Sequence, residues 1–90
     1  MPTVKFTANL KRFYPELKTM KLEATSIPAL LDQLEGRFPK FKHYILDEQG
    51  RLRKHVNIFI GDELIEDRIG LSDSIDEKKD IYIMQALSGG

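Results

Sequence analysis

The residues with the clearest potential for chemistry stand at the end of the sequence, which closes on Gly89 and Gly90. Glycine lacks a Cβ, so its backbone passes through narrow channels and leaves the terminal carboxylate unshielded. We therefore expect residues 87–90 to form a flexible tail that delivers the Gly90 carboxylate into the active site of another protein. A tag remnant or a flexible end without a function is the alternative interpretation.

The other residue types that commonly carry chemistry do not form recognisable motifs. The sequence has no cysteine, which excludes a disulfide framework, a thiolate zinc site and a catalytic thiol. His43 and His55 have no partner at metal-ligand spacing. No serine lies in a nucleophile elbow, and no glycine-rich loop could cradle phosphate. We predict that the chain is not an enzyme, has no catalytic residues and binds neither a metal nor a cofactor.

The composition is that of one small soluble domain, with 41% apolar and 31% charged residues in a chain of 90. No apolar run reaches the length of a membrane span, and the N-terminus lacks a signal-peptide core. We expect a cytoplasmic protein that does not contact a membrane. The total charge is zero, but residues 1–55 carry a net charge of +5 and residues 56–90 a net charge of −5.

Basic and aromatic residues alternate in the segment 37–55, a composition that can bind single-stranded nucleic acid. The neutral total charge and the absence of a known RNA-binding motif argue against that function. The split in charge between the two halves could instead steer a protein partner toward one face. It could equally have no role, because segments distant in sequence are often neighbours in a small fold.

Hydrophobic periodicity supplies the elements that would position the tail. Apolar residues at every second position predict strands, and the spacing of Ile27, Leu30, Leu31 and Leu34 predicts a helix. The predicted elements are strands at 4–10 and 20–24, a helix from 27 to 38, and strands at 56–60, 64–65 and 81–86. The order β-β-α-β-β-β indicates an α+β domain over residues 1–86, with one helix across one face of a mixed sheet of four or five strands.

This element order, the segment Leu52–Ile60 and the stretch Ile81–Gly90 with its Gly-Gly end resemble the ThiS/MoaD sulfur-carrier family. The resemblance covers essentially the whole chain and is closest to the MoaD-like branch, although Gln85–Ser88 replaces the proline-containing run common in that branch. It implies a β-grasp, ubiquitin-like fold.

The resemblance also implies a function. A partner adenylating enzyme, which is similar to ubiquitin-activating enzymes, would use ATP and Mg²⁺ to activate the Gly90 carboxylate. A sulfur-donor protein would then give a thiocarboxylate, and an acceptor protein would take the sulfur in molybdopterin, thiamin, cysteine or tRNA biosynthesis. Two alternatives remain open, a protein modifier conjugated through the same glycine and a β-grasp binding module without activation chemistry.

Alternation along the strands places Phe59, Tyr82 and Met84 on the sheet face opposite the helix. An apolar patch flanked by charge often marks a partner site. The resemblance implies that the activating enzyme contacts this face, with Thr7 beside it. We therefore predict that the partner-binding residues are Thr7, Phe59, Tyr82, Met84, Leu87 and Ser88, and that Gly89 and Gly90 are the residues that react.

Overall fold

A computed structural model describes residues 1–85, except for the side chains of Asn9 and Phe13. The elements in chain order are β1 (Thr3–Phe6), α1 (Ala8–Phe13), β2 (Met20–Lys21), α2 (Ile27–Arg37), α3 (Phe41–Ile45), β3 (Val56–Ile60), β4 (Glu63–Leu64) and β5 (Ile81–Gln85). The strands form one five-stranded sheet in the order β2-β1-β5-β3-β4. β1 and β5 are parallel and the other pairs are antiparallel, which confirms the predicted mixed sheet. The last strand therefore lies at the centre, between β1 and β3.

The helix predicted across one face of the sheet is α2. It begins after Ser26, whose Oγ accepts a hydrogen bond from the N–H of Ala29 at 3.2 Å, and Pro28 occupies its first turn, where a missing N–H costs nothing. Its buried residues recur at helical spacing and join the inward residues of β3 and β5 in one core. These residues are Ile27, Leu30, Leu31 and Leu34 of α2, Val56 and Ile58 of β3, and Ile81 and Ile83 of β5.

The strand predicted over residues 4–10 is wrong in its second half. β1 ends at Phe6, and α1 follows from Ala8. Alternation would bury Ala8, yet this residue is exposed, whereas Leu10 is fully buried from the helix. Leu10 lies four residues after Phe6, and this spacing is compatible both with alternation along a strand and with one turn of helix. The hydrophobic pattern alone therefore could not distinguish a strand from a helix here.

The second predicted strand, 20–24, pairs with β1 only at Met20 and Lys21. The inward residues beyond it are nevertheless buried, since Leu22 is 1% and Ala24 6% exposed. The backbone N–H of Leu22 donates to the carbonyl of Pro2 at 3.1 Å. The chain therefore stays extended along β1 after the ladder ends.

The helix α3 was not predicted and lies inside the basic, aromatic segment. Phe41 is fully buried and Phe38 nearly so. The ring of Tyr14 lies 5.7–5.9 Å, between centroids, from the rings of Phe38, Phe41 and Tyr44. The two phenylalanine rings of this segment thus belong to the core, which removes them as platforms on which bases could stack. None of the helices between residues 1 and 85 has both the length and the apolar character needed to cross a membrane.

Candidate functional site

The sheet face opposite α2 carries the apolar residues that the sequence singled out. Phe59 of β3 pairs directly with Tyr82 of β5, and Met84 pairs with Asn57. Residues two apart on a strand share a face, so Phe59 and Met84 are diagonal neighbours across the ladder. All three apolar side chains are half-buried, whereas Ile58 and Ile83 beside them are fully buried. The structure thus brings Phe59, Tyr82 and Met84 together on one accessible surface.

Leu64 extends this surface and was missed at the sequence level. It lies opposite Phe59 in the β3–β4 ladder, and its side chain is 46% exposed. The Gly61-Asp62 turn was the available signal, because a two-residue hairpin loop fixes which residues pair across it. Gly61 has a φ of 63°, which favours glycine at that position. We name the set Phe59, Leu64, Tyr82 and Met84 the apolar patch.

The apolar patch contains a shallow depression and is bordered by charged residues. A shallow depression of about 280 Å³ is lined by Phe59, Gly61, Asp62, Tyr82 and Met84. On the other side of Tyr82, the ladder places Lys5 of β1. The Lys5 ammonium forms an ion pair with Asp80 at 2.9 Å. A partner that covers the patch would therefore bury apolar side chains and meet charge at the rim, as in ordinary protein interfaces.

Thr7 lies at the point where β5 ends. Its N–H donates to the carbonyl of Ile83 at 3.2 Å, and its hydroxyl oxygen accepts from the N–H of Gln85 at 3.1 Å. On the other flank, Gln85 pairs with Val56, and its side-chain Nε2 lies 3.3 Å from Nε2 of His55. The last residue of β5 is thus held on one side by Thr7, which follows β1, and on the other side by β3. The predicted site residues Leu87, Ser88, Gly89 and Gly90 lie outside the described residues.

Two carboxylates with lowered pKa values hold loops rather than line the apolar patch. The backbone N–H groups of Lys42 and Lys40 donate to Glu35 at 2.9 and 2.8 Å and lower its pKa. These bonds fasten the start of α3 to the end of α2. The hydroxyl of Ser72 and the nearby backbone N–H groups lower the pKa of Asp67 to about 2. No group of three or more His, Asp or Glu side chains within residues 1–85 is placed to hold a metal ion.

Comparison with solved structures shows the fold. A chain of the Amycolatopsis orientalis BexX/CysO complex matches with a TM-score of 0.81 at 22% identity, over 100% of both chains. CysO of Mycobacterium tuberculosis matches with a TM-score of 0.80 at 22% identity, over 97% of this chain and 100% of that one. SAMP1 of Haloferax volcanii, a small archaeal modifier protein, gives 0.73 at 19% identity, over 98% and 97% of the two chains. The protein thus has the expected β-grasp, ubiquitin-like fold.

Comparison with family models shows the family. The model of the ThiS family matches residues 4–90, which include every strand of the sheet except the first residue of β1. A comparison with curated proteins gave no match. The family match covers nearly the whole chain and reaches its last glycine. This chain therefore belongs to the ThiS family of ubiquitin-like sulfur carriers.

Proposed function

We propose that the Gly90 carboxylate is the group that carries sulfur, after adenylation by a partner enzyme. The observation that carries this proposal is the extent of the ThiS-family match, which runs through the terminal Gly89-Gly90. The chain has no cysteine on which sulfur could ride as a persulfide. The main-chain terminus therefore takes that role.

The proposed chemistry has two steps on the partner enzyme. A Gly90 carboxylate oxygen attacks the α-phosphorus of ATP, and pyrophosphate leaves with Mg²⁺ screening its charge. Hydrosulfide, supplied by a donor protein, then attacks the acyl carbon of the adenylate, and AMP leaves with the bridging oxygen. The product is a thiocarboxylate, in which sulfur replaces one oxygen of the terminus. ATP and Mg²⁺ belong to the activating enzyme, and this chain itself acts as substrate and carrier, not as an enzyme.

The described part of the chain supports the two tasks left to the carrier, docking and aiming. For docking, the apolar patch offers four half-buried or exposed apolar side chains on one face. Thr7 and β3 hold β5 up to Gln85, so the following residues start from a fixed point. The acceptor then takes sulfur for cofactor, cysteine or tRNA biosynthesis in the cytoplasm.

An intact-mass experiment tests the proposal. The full chain is incubated with its activating enzyme, ATP, Mg²⁺ and sulfide. We expect a mass increase equal to the exchange of one oxygen for sulfur, and ATP–pyrophosphate exchange that depends on the carrier. Deletion of Gly90, or addition of one alanine after it, should abolish both signals while the melting temperature stays the same, because small misplacements of a reacting group cost large rate factors. An extended chain that reacts as well as the natural one, without proteolysis, would overturn the proposal.

Conjugation to proteins is the second candidate, and the likeness to an archaeal modifier protein favours it. The same acyl-adenylate could acylate a lysine amine, directly or through an enzyme thioester. The intact mass of the chain isolated from its host separates the candidates. A thiocarboxylate would support the sulfur-carrier function, and a lysine-linked adduct would support the modifier function. If neither product is found, the result would support a β-grasp binding module without activation chemistry.

A further inference from the structure

A second surface, separate in composition from the apolar patch, is a groove of about 600 Å³ with basic walls. We name it the basic groove. It is formed by the loop between α3 and β3 together with the loop that follows β4. Its lining residues are Asp47, Arg51, Leu52, Arg53, Lys54, His55, Arg68 and Ile69.

Most of the positive charge in the basic groove is uncompensated. Arg51 pairs with Asp47 at 3.1 Å, Nε to Oδ2. Arg53, Lys54 and Arg68 form no ion pair with any residue between 1 and 85. Asp47, the one carboxylate of the lining, is thus paired with Arg51. The positive charges of Arg53, Lys54 and Arg68 can therefore attract an external anion.

The two uncompensated guanidinium groups are fixed in place. Arg68 donates from Nη1 to Oδ1 of Asn57 at 2.9 Å, and from Nη2 to the carbonyls of Arg53 and Val56 at 2.6 and 2.8 Å. Arg53 donates from Nε to the carbonyl of His43 at 2.9 Å. Neutral carbonyls hold these side chains without cancelling their charge. A ligand would therefore meet cations that have already lost much of their conformational freedom.

The basic groove also has an apolar wall. Ile69 is 71% exposed, and buried Leu52 lies beneath the same surface. His55 is the only ring among the lining residues, and none of them is Phe, Tyr or Trp, the larger rings that usually stack on bases. The combination of fixed cations and an exposed aliphatic side chain fits an acidic polypeptide better than a nucleic acid.

The basic groove lies next to the end of β5. Asn57, which accepts from Arg68, pairs with Met84 of the apolar patch. His55 in the lining contacts Gln85, the last described residue. A protein that covers the apolar patch would thus reach the groove without leaving the surface around the end of β5.

We propose that the basic groove binds an acidic segment, containing an aliphatic side chain, of a protein that docks on this chain. Arg53 bonds to His43 through Nε alone, so its two Nη groups can pair with a carboxylate through two parallel hydrogen bonds, which gives such a segment a defined position. The charge would also accelerate encounter with the partner, since complementary potentials steer association. This inference does not depend on the chemistry proposed for Gly90.

Amide chemical shifts of the labelled full chain test the inference with a synthetic probe. The probe is the capped peptide Glu-Glu-Leu-Glu-Glu, and the matched control peptide is Gln-Gln-Leu-Gln-Gln. We expect saturable shifts from the acidic peptide that concentrate at residues 51–55 and 68–69. The affinity should fall by about tenfold when ionic strength is raised from low to physiological values, because surface charges are screened. The neutral peptide should bind at least about tenfold more weakly.

Variants locate the binding and keep the test independent of folding. Lys54 is exposed and makes no hydrogen bond within residues 1–85, so Lys54→Glu should fold normally and weaken the acidic peptide about tenfold. Ile69→Ser should weaken it by a smaller factor. Lys18→Glu, an exposed lysine outside the lining, is the matched control and should leave the affinity unchanged. Equal effects at Lys18 and Lys54, equal binding of the neutral peptide, or tighter binding of a single-stranded oligonucleotide would overturn the proposal.

Discussion

The hydroxyl of Thr7 accepts its hydrogen bond from the N–H of Gln85, 78 residues along the chain, although Thr7 is the N-cap residue of α1. A threonine at this position usually accepts from an N–H in the first turn of its own helix, and here it makes no such bond. β1 ends one residue earlier, at Phe6, so the sheet backbone supplies no further acceptor beside β5. The side-chain oxygen of Thr7 replaces the missing carbonyl and extends the ladder to the end of β5.

Thr7→Val should release the end of β5, because valine has the same shape but no acceptor. We expect about fivefold faster hydrogen exchange at the amide of Gln85, equivalent to the loss of one hydrogen bond worth about 1 kcal/mol. Thr7→Ser keeps the hydroxyl and is the control that should retain the protection. When the valine variant is the substrate of the activating enzyme, kcat should fall by a larger factor than KM rises. The variant should still bind the enzyme, but its C-terminus should be less well oriented for the reaction. Equal protection of Gln85 in both variants would contradict this role.

Arg68→Lys should destabilise the fold although it keeps the charge. Lysine cannot reproduce the planar fork that bonds three oxygens at 2.6–2.9 Å. We expect a loss of about 1.5–3 kcal/mol in the free energy of unfolding, measured with urea, because part-buried acceptors lose charged donors. Arg51→Lys is the matched control, since its ion pair with Asp47 is exposed and should be worth less than about 0.5 kcal/mol. A lysine variant at position 68 as stable as the natural chain would show that water replaces these bonds.

The central elements could be predicted because their burial follows a period that the sequence displays. α2 shows helical spacing over eleven residues, and fully buried and half-buried residues alternate through the first four positions of β3 and of β5. The face opposite α2 follows directly, since Phe59 and Tyr82 are the residues between the buried ones. Family resemblance added the β-grasp fold, which alternation alone does not specify.

The remaining features could not be predicted because their partners are distant in sequence. α1 and α3 span only six and five residues, too short for helical spacing to differ clearly from alternation. The basic groove depends on Arg68, whose acceptors include backbone carbonyls 12 and 15 residues away. Every residue has a backbone carbonyl, so the residue types in the sequence do not indicate which carbonyl an arginine will bond to. Arg68 therefore could not be distinguished from a solvent-exposed arginine.

Acid should weaken the loop built on Asp67. Its carboxylate accepts from the hydroxyl of Ser72 and from the N–H groups of Gly70 and Ile69 at 2.7 and 3.1 Å, and the pKa falls from 3.8 to about 2. A carboxyl with a lower pKa in the folded state binds fewer protons there than in the unfolded state. Its contribution to stability is therefore full above pH 3.8 and is lost as the pH falls toward 2.

Asp67→Asn isolates this contribution. The variant should be less stable than the natural chain at pH 6, and the difference should shrink between pH 4 and pH 2, as measured by urea unfolding at each pH. Ser72→Ala removes the donor with the largest effect on the pKa and should show a weaker dependence over the same interval. A difference between Asp67→Asn and the natural chain that stays constant down to pH 2 would show that the carboxylate has no lowered pKa in the folded protein.

The two faces of the sheet should respond differently to substitution, and this contrast tests the apolar patch. Phe59→Ala and Met84→Ala should weaken binding to the activating enzyme by about 1–3 kcal/mol, the range that separates a notable contact from a hot spot. Both side chains are half-buried, so the free energy of unfolding should change by no more than about 1 kcal/mol. Titration calorimetry and thermal melts measure the two quantities.

Ile58→Val is the matched control on the opposite face of the same strand. Ile58 is fully buried, so the lost methylene should cost about 0.5–1.5 kcal/mol of stability and leave the affinity unchanged. Leu64→Ala extends the test to the residue that pairs with Phe59, and it should weaken binding without affecting the core. If the alanine variants lose stability but keep their affinity, Phe59 and Met84 support the sheet, and the activating enzyme docks on another surface.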